Sequence, residues 1–199
     1  MKPTEEHKSQ LKQSIDNIYR MGNECWSELE PLIYVKELDK NDYFSKESQS
    51  TKDLGFIFNG VLRIFYLSDT GEEWNKHFLR ENDFVASSIS PEKKSITNIQ
   101  ALTETILLCI PYTELVKLST KYPEINSFIQ KLTFSYLEQK QDREIKLLSE
   151  NATNNYLNFI KSFPGLENQI QHYHIASYLG ITPTQLSRLR KKLNAHQHM

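Results

Sequence analysis

Near its C-terminus the chain reads GITPTQLSRLRKKLN, from Gly180 to Asn194. Thr182, Thr184, Gln185, Ser187, Arg188, Arg190, Lys191 and Lys192 crowd into this stretch, and no Asp or Glu occurs between Asn168 and Met199. Side chains of these types have the chemistry to read and grip duplex DNA. Arginine forks onto guanine, glutamine onto adenine, and threonine or serine bonds either purine or touches the thymine methyl. Arg190, Lys191 and Lys192 would neutralise phosphate, which adds affinity but little sequence information. Chemistry of the catalytic kind is not written elsewhere. The chain has no G-x-S-x-G elbow, no H-E-x-x-H pair and no P-loop, and its glycines, at 22, 55, 60, 71, 165 and 180, never cluster. Glu72 and Glu73 lie beside a turn and read as surface charge. An enzyme is therefore not expected.

Such side chains need a rigid element beneath them. Thr182 is placed as an N-cap, Pro183 as the first helical residue and Gln185 as the partner in a capping box, so a helix should begin sharply here. At about 100° per residue, Leu186, Leu189 and Leu193 share one side, and Thr184, Arg188 and Lys191 lie near the other. Gln185, Ser187 and Lys192 flank them. Arg190 points closer to the core and reaches outward only by snorkelling. Upstream, HIASYLG gives Ile175, Ala176 and Leu179 a common face and ends at Gly180, which permits a tight turn. Together these make a helix-turn-helix unit. A small helical hairpin that binds protein with its charges solvated is the competing reading. The cap, the turn, the leucine spacing and the one-sided charge favour DNA.

The net charge of −1 hides an asymmetry: the segment from Asn168 onward carries four basic residues and no acid, leaving −5 on residues 1–167. A basic terminal module on an acidic body fits a chain of which one part meets nucleic acid. No apolar run approaches the ~20 residues that cross a bilayer, and the N-terminal MKPTEEHKSQ lacks the apolar block of a signal peptide. The expected location is the cytoplasm, without membrane association. Cys25 and Cys109 have no Cys or His at metal-ligand spacing and read as small buried apolar residues. Two cysteines are too few for an iron-sulfur cluster. His77, in EEWNKHFL, reads as a packed strand histidine rather than a haem ligand, and His172 and His174 diverge on a helix. No cofactor or metal is expected.

Along the rest of the chain, Leu11, Ile15, Ile18 and Tyr19 recur at helical spacing. From about Ile33 to Ile110 the texture becomes short β-rich runs: IYVKEL, GFIFN, VLRIFYL, EEWNKHFL, SITNIQAL and TILLCI. Asn59-Gly60 suggests a type I′ hairpin and Asp69-Thr70-Gly71 a second turn. Runs at this spacing point to an antiparallel sandwich or roll. Pro111 opens a helix that Tyr122-Pro123 interrupts. A longer helix is expected from Glu124 to about Leu148. Its apolar stripe either lies on the roll or pairs with a second copy, and its length favours a homodimer. Ser149 to Asn151 reads as a hinge, with a further helix from Ala152 to Ile160.

This order of parts, with HIASYLGITPTQLSRLRKKL at the end, resembles the CRP/FNR family of bacterial transcription regulators, especially the Bacteroidetes type. The resemblance implies an α+β fold. On this resemblance a cyclic-nucleotide-binding-like antiparallel β-roll with flanking helices would occupy residues 1–123, a long dimerisation helix and hinge residues 124–150, and a winged helix-turn-helix residues 151–199. It also implies double-stranded DNA, a second copy and RNA polymerase as partners, with Arg188 in the place of the family's base-reading arginine. Pro183 and Thr184 stand where better-known members often carry charge, so a different operator is expected. The resemblance further implies an effector pocket in the roll, formed here by Val85, Ala86, Ser87, Ser88, Lys94, Ser95, Ile96 and Thr97. Ala86 and Ser87 replace the Gly-Glu that holds ribose, and Ser95, Ile96 and Thr97 replace the Arg-Ser-Ala that binds cyclic phosphate. Lys94 supplies a point charge without a guanidinium fork. Cyclic AMP is thus not the expected effector; another small molecule, or none, is. A module of the same fold that has lost DNA binding is the alternative.

Overall fold

The structure is a computed structural model that describes residues 2–50, 52–88 and 93–197. Helix α1 (Glu5–Ile18) begins at Thr4, whose hydroxyl accepts from the His7 N–H while the His7 ring accepts in return from Thr4. Leu11 and Ile15, one turn apart on α1, are buried, as the periodicity predicts. Helix α2 (Asn23–Leu29) and a 3-10 turn (Glu30–Leu32) lead into the strands.

Eight strands follow among the described residues: β1 (Tyr34–Leu38), β2 (Tyr43–Ser45), β3 (Asp53–Asn59), β4 (Leu62–Leu67), β5 (Glu73–Leu79), β6 (Phe84–Val85), β7 (Asn98–Ala101) and β8 (Thr105–Pro111). They form two four-stranded sheets, ordered β1-β8-β3-β6 and β2-β7-β4-β5. Strand β8 explains why TILLCI is apolar without interruption. Leu108 and Ile110 join a cluster with Leu11, Ile15, Cys25 and Phe128, whereas Leu107 and Cys109 join another with Ile57, Leu62 and Ile99. Alternate side chains of one strand thus enter helix-covered and sheet-covered cores. Each full burial of a leucine or isoleucine contributes about 1.5–3 kcal/mol.

The expected type I′ hairpin at Asn59-Gly60 is not there. Asn59 ends β3 in one sheet and Leu62 begins β4 in the other, so this dipeptide is a corner between sheets. Gly60 has φ +105°, and a Cβ there would lie 2.5 Å from the Glu104 carbonyl oxygen. Its N–H donates to Glu81 Oε1 at 2.9 Å. The second turn matches expectation: β4 and β5 are neighbours, and Ser68 N–H donates to the Glu72 carbonyl at 2.9 Å.

Helices α3 (Tyr112–Lys121) and α4 (Pro123–Ser149) meet at Tyr122, where Pro123 cannot continue α3. Asn151 caps α5 (Ala152–Ser162), its side chain accepting from the Asn154 N–H at 3.0 Å. A 3-10 turn (Leu166–Asn168), α6 (His172–Leu179) and α7 (Pro183–Gln197) complete the chain. Every element described from Gln139 onward is helical, and no strand for the expected wing is among the described residues.

The chain divides into two compact units, residues 1–64 with 78–138, and residues 65–77 with 139–199. The first contains both clusters described above. In the second, Tyr156, Phe159, Phe163, Leu166, Ile175, Leu179 and Leu186 are buried. Phe159 and Phe163 lie 5.4 Å apart between ring centroids, and Tyr178 packs 5.8 Å from each.

Candidate nucleic-acid interface

Within the second unit, α6 ends where the sequence predicts. Gly180 adopts φ +68°, the left-handed conformation that an L side chain resists, and Ile181 N–H donates back to the Ala176 carbonyl at 3.0 Å. Two residues later α7 starts. Thr182 N–H donates to Gln185 Oε1 at 2.8 Å and Gln185 N–H donates to Thr182 Oγ1 at 3.2 Å, completing the capping box. Helix α6 is tied to the β5 segment of the same unit. Ser177 Oγ donates to the Glu73 carbonyl and accepts from Asn75 N–H, both at 2.9 Å, and Asn75 Nδ2 donates to the His174 carbonyl at 3.0 Å.

The apolar side of α7 is as expected: Leu186 is buried, and Leu189 and Leu193 are half-buried. Thr182, Thr184, Gln185, Ser187, Arg188, Lys191 and Lys192 are all exposed. Their roles diverge in the geometry. The Gln185 carbonyl oxygen is already engaged in the cap, which competes with a two-point contact to adenine. Arg188 stands in solvent. Arg190 is half-buried and faces its own module: Nε donates to the Tyr156 hydroxyl at 3.1 Å, Nη1 lies 2.9 Å from the His172 ring nitrogens, and Nε is 3.6 Å from Glu167 Oε2. The Tyr156 hydroxyl in turn donates to Glu167 Oε2. Burial, with the Glu167 carboxylate second, pushes the Tyr156 phenol up to about 12. A shallow concavity of about 380 Å³ lies beside this group, lined by His172, Pro183, Leu186, Ser187, Arg190 and Lys191.

Sequence reasoning missed the partners of Arg190. Tyr156, Glu167 and His172 come from three other elements at separations no helical period links. It also missed Arg143, whose Nη2 donates to the Tyr178 carbonyl at 2.7 Å while its guanidinium lies 4.2 Å over the Tyr178 ring.

In the first unit the candidate effector residues are of mixed placement. Val85 is buried and pairs with Gly55, and Ala86, Ser87 and Ser88 are half-buried. Lys94 and Ile96 are exposed. Ser95 and Thr97 are buried, with Ser95 Oγ donating to the Thr97 carbonyl at 2.6 Å. A buried cation the sequence reading overlooked lies in this roll: Arg63 donates from Nε and Nη2 to Gln100 Oε1 at 2.9 and 2.6 Å. Its place inside a strand run, VLRIFYL, was the available signal.

Cys25 and Cys109 are buried free thiols, and burial raises them to about 11 and about 12. His77 packs edge-on against Phe163 at 5.8 Å, and burial, followed by the nearby charges of Arg143 and Lys140, lowers it to about 4. Among the described residues no three His, Cys, Asp or Glu side chains are grouped to hold a metal, and no helix is long and apolar enough to cross a membrane.

Comparison with known proteins yields no matching family model. An anaerobic regulatory protein of Pasteurella multocida is 27% identical over 170 residues, 79% of this chain and 62% of that protein. The fumarate and nitrate reduction regulatory protein of Yersinia pestis is 26% identical over 166 residues, 77% of this chain and 66% of its own length. The chain thus spans just under two thirds of the length of these relatives. Among solved structures, FixK2 of Bradyrhizobium japonicum superposes with a TM-score of 0.74 at 16% identity, covering 83% of this chain and 86% of that one. A transcriptional regulator of the crp/fnr family from Eubacterium rectale gives 0.72 at 16% identity, covering 88% and 85%. The c-di-GMP responsive global regulator CLP of Xanthomonas campestris gives 0.70 at 14% identity, covering 88% and 93%. The fold is theirs.

Proposed function

We infer that the chain, a CRP/FNR-type protein in its fold and its relatives, is a sequence-specific DNA-binding transcription regulator that acts as a homodimer. The observation that carries this reading is the solvent-facing side of α7. It combines a sharply capped start with exposed Thr184, Ser187, Arg188, Lys191 and Lys192, above leucines that anchor the helix. Thr184, Ser187 and Arg188 meet base edges, and Thr182, Lys191 and Lys192 meet phosphate. Gln185 serves the cap first.

The dimer reading rests on α4. Phe134, Leu137, Ile145 and Leu148 are 56%, 45%, 55% and 83% exposed. At about 100° per residue they fall within one quarter of the helix circumference. An apolar stripe of this kind, left open on a single chain, fits a coiled pairing with its twin. Residues 124–150 then form the dimer helix and hinge, and residues 151–199 the DNA-binding part. In a dimer, two recognition helices engage half-sites about one DNA turn apart, about 34–36 Å. An effector in the roll, near Val85 to Ser88 and Lys94 to Thr97, acts by changing that spacing, and the exposed faces leave RNA polymerase as a further partner.

The test is a salt titration on pooled duplex DNA followed by selection from a random pool. Affinity falling steeply with salt, and a selected palindrome with one-turn spacing, support the reading. Affinity that ignores salt, or no binding in dilute buffer, removes it in favour of a module without DNA binding.

A further inference from the structure

We propose that Arg190 is a positioning residue that sets the angle of α7, and that it does so through Tyr156, Glu167 and His172 instead of contacting DNA phosphate. This rests on the DNA-binding reading above and deepens it. Three facts carry the inference. First, the Arg190 side chain is only 26% exposed, although it sits on an otherwise exposed cationic segment. Second, its donors are already directed inward. Nε serves the Tyr156 hydroxyl at 3.1 Å, the Glu167 carboxylate is 3.6 Å away, and Nη1 points at the His172 ring at 2.9 Å. Third, those partners belong to α5, the 3-10 turn before α6, and α6 itself, so one side chain links α7 to each other helical element of the terminal module.

The chemistry of the cluster is self-consistent. Tyr156 donates its proton to Glu167 and accepts from Arg190, so the phenol relays the ion pair. Arginine suits this task because its planar fork presents several donors in fixed directions, which a lysine ammonium does not. Arg188, two residues earlier, then projects from a helix whose tilt and rotation are held, and a base-reading fork tolerates little misplacement.

Glu167→Gln and Tyr156→Phe separate the two roles, because neither variant changes a side chain of the DNA-facing surface. If Arg190 is a phosphate contact restrained by Glu167, releasing it tightens binding to all duplexes and steepens the salt dependence. If it positions α7, both variants weaken binding to the duplex selected by the wild-type protein, roughly five- to tenfold, while binding to random duplex and the salt slope stay unchanged. Arg190→Lys behaves like these two variants under the positioning role and like wild type under the phosphate role. Loss of folded protein alone lowers binding to both duplexes equally, which circular dichroism at the assay temperature identifies, and that result overturns the proposal. Tighter binding by Glu167→Gln overturns the positioning role while leaving DNA binding intact. Wild-type protein that ignores DNA overturns both.

Discussion

Thr182 and Gln185 hold each other: the backbone N–H of each donates to the side-chain oxygen of the other, at 2.8 and 3.2 Å. The pair defines the first turn of the helix that carries every proposed DNA contact. Thr182→Ala should therefore lower the stability of the C-terminal module by about 1 kcal/mol, measured by urea unfolding. Gln185→Glu should preserve both the cap and the selected DNA sequence, whereas a change in one base of that sequence would make Gln185 a reader as well.

Arg188 is expected to behave differently from its neighbours. Arg188→Ala should cost about 1–3 kcal/mol on the selected duplex and much less on random DNA. Lys191→Ala and Lys192→Ala should weaken both equally and reduce the salt slope by about one each. Equal losses for Arg188→Ala on both duplexes would reassign it to the backbone.

For the dimer, Leu148→Asp and Ile145→Asp should convert the protein to a monomer in sedimentation velocity with little loss of secondary structure. Both side chains are more than half exposed on the single chain, so no core is opened. A dimer that survives both changes would place the interface elsewhere.

His77 predicts a pH dependence. Its folded pKa lies near 4, below the ordinary value of 6.5, because burial and then the charges of Arg143 and Lys140 disfavour the imidazolium. Between those two values the unfolded chain binds the proton and the folded chain does not, so stability falls as pH drops from about 6.5 toward 4. His77→Gln should flatten that part of the stability profile in thermal melts; an unchanged slope would assign the acid sensitivity to other groups.

At the corner between sheets, Gly60→Ala should destabilise the protein by more than about 1 kcal/mol, because φ there is +105° and the added methyl meets the Glu104 carbonyl. Gly180→Ala meets no atom within 4 Å and strains only the backbone, so its cost should be smaller. Chemical denaturation of the two variants ranks them.

What could be read in advance had a local cause. The cap at Thr182, the turn at Gly180, the break at Tyr122-Pro123 and the helix restart at Ala152 each depend on residues within three or four positions, and each is present. The short strands β2 and β6 escaped detection because two or three residues have too little length for a period to show.

Asn59-Gly60 looked like a hairpin because its local preference is genuine, yet pairing partners decide whether a glycine turn closes a hairpin or turns a corner. The strands beside β3 are β8 and β6, about fifty and about thirty positions further on, and not β4. Arg190 illustrates the same division within the candidate site.

By itself, then, the order of residues determined where helices start and stop, which face of α7 is apolar and which carries charge, since these follow from propensity, capping and periodicity over a few residues. Helical phase had also set Arg190 nearer the core than Arg188; tertiary structure alone decided which sheet each strand joins and which groups the Arg190 guanidinium meets. The reason is that these outcomes depend on groups brought together from distant positions. Tyr156 and Glu167 are 34 and 23 residues from Arg190, and only the folded module sets them beside its guanidinium.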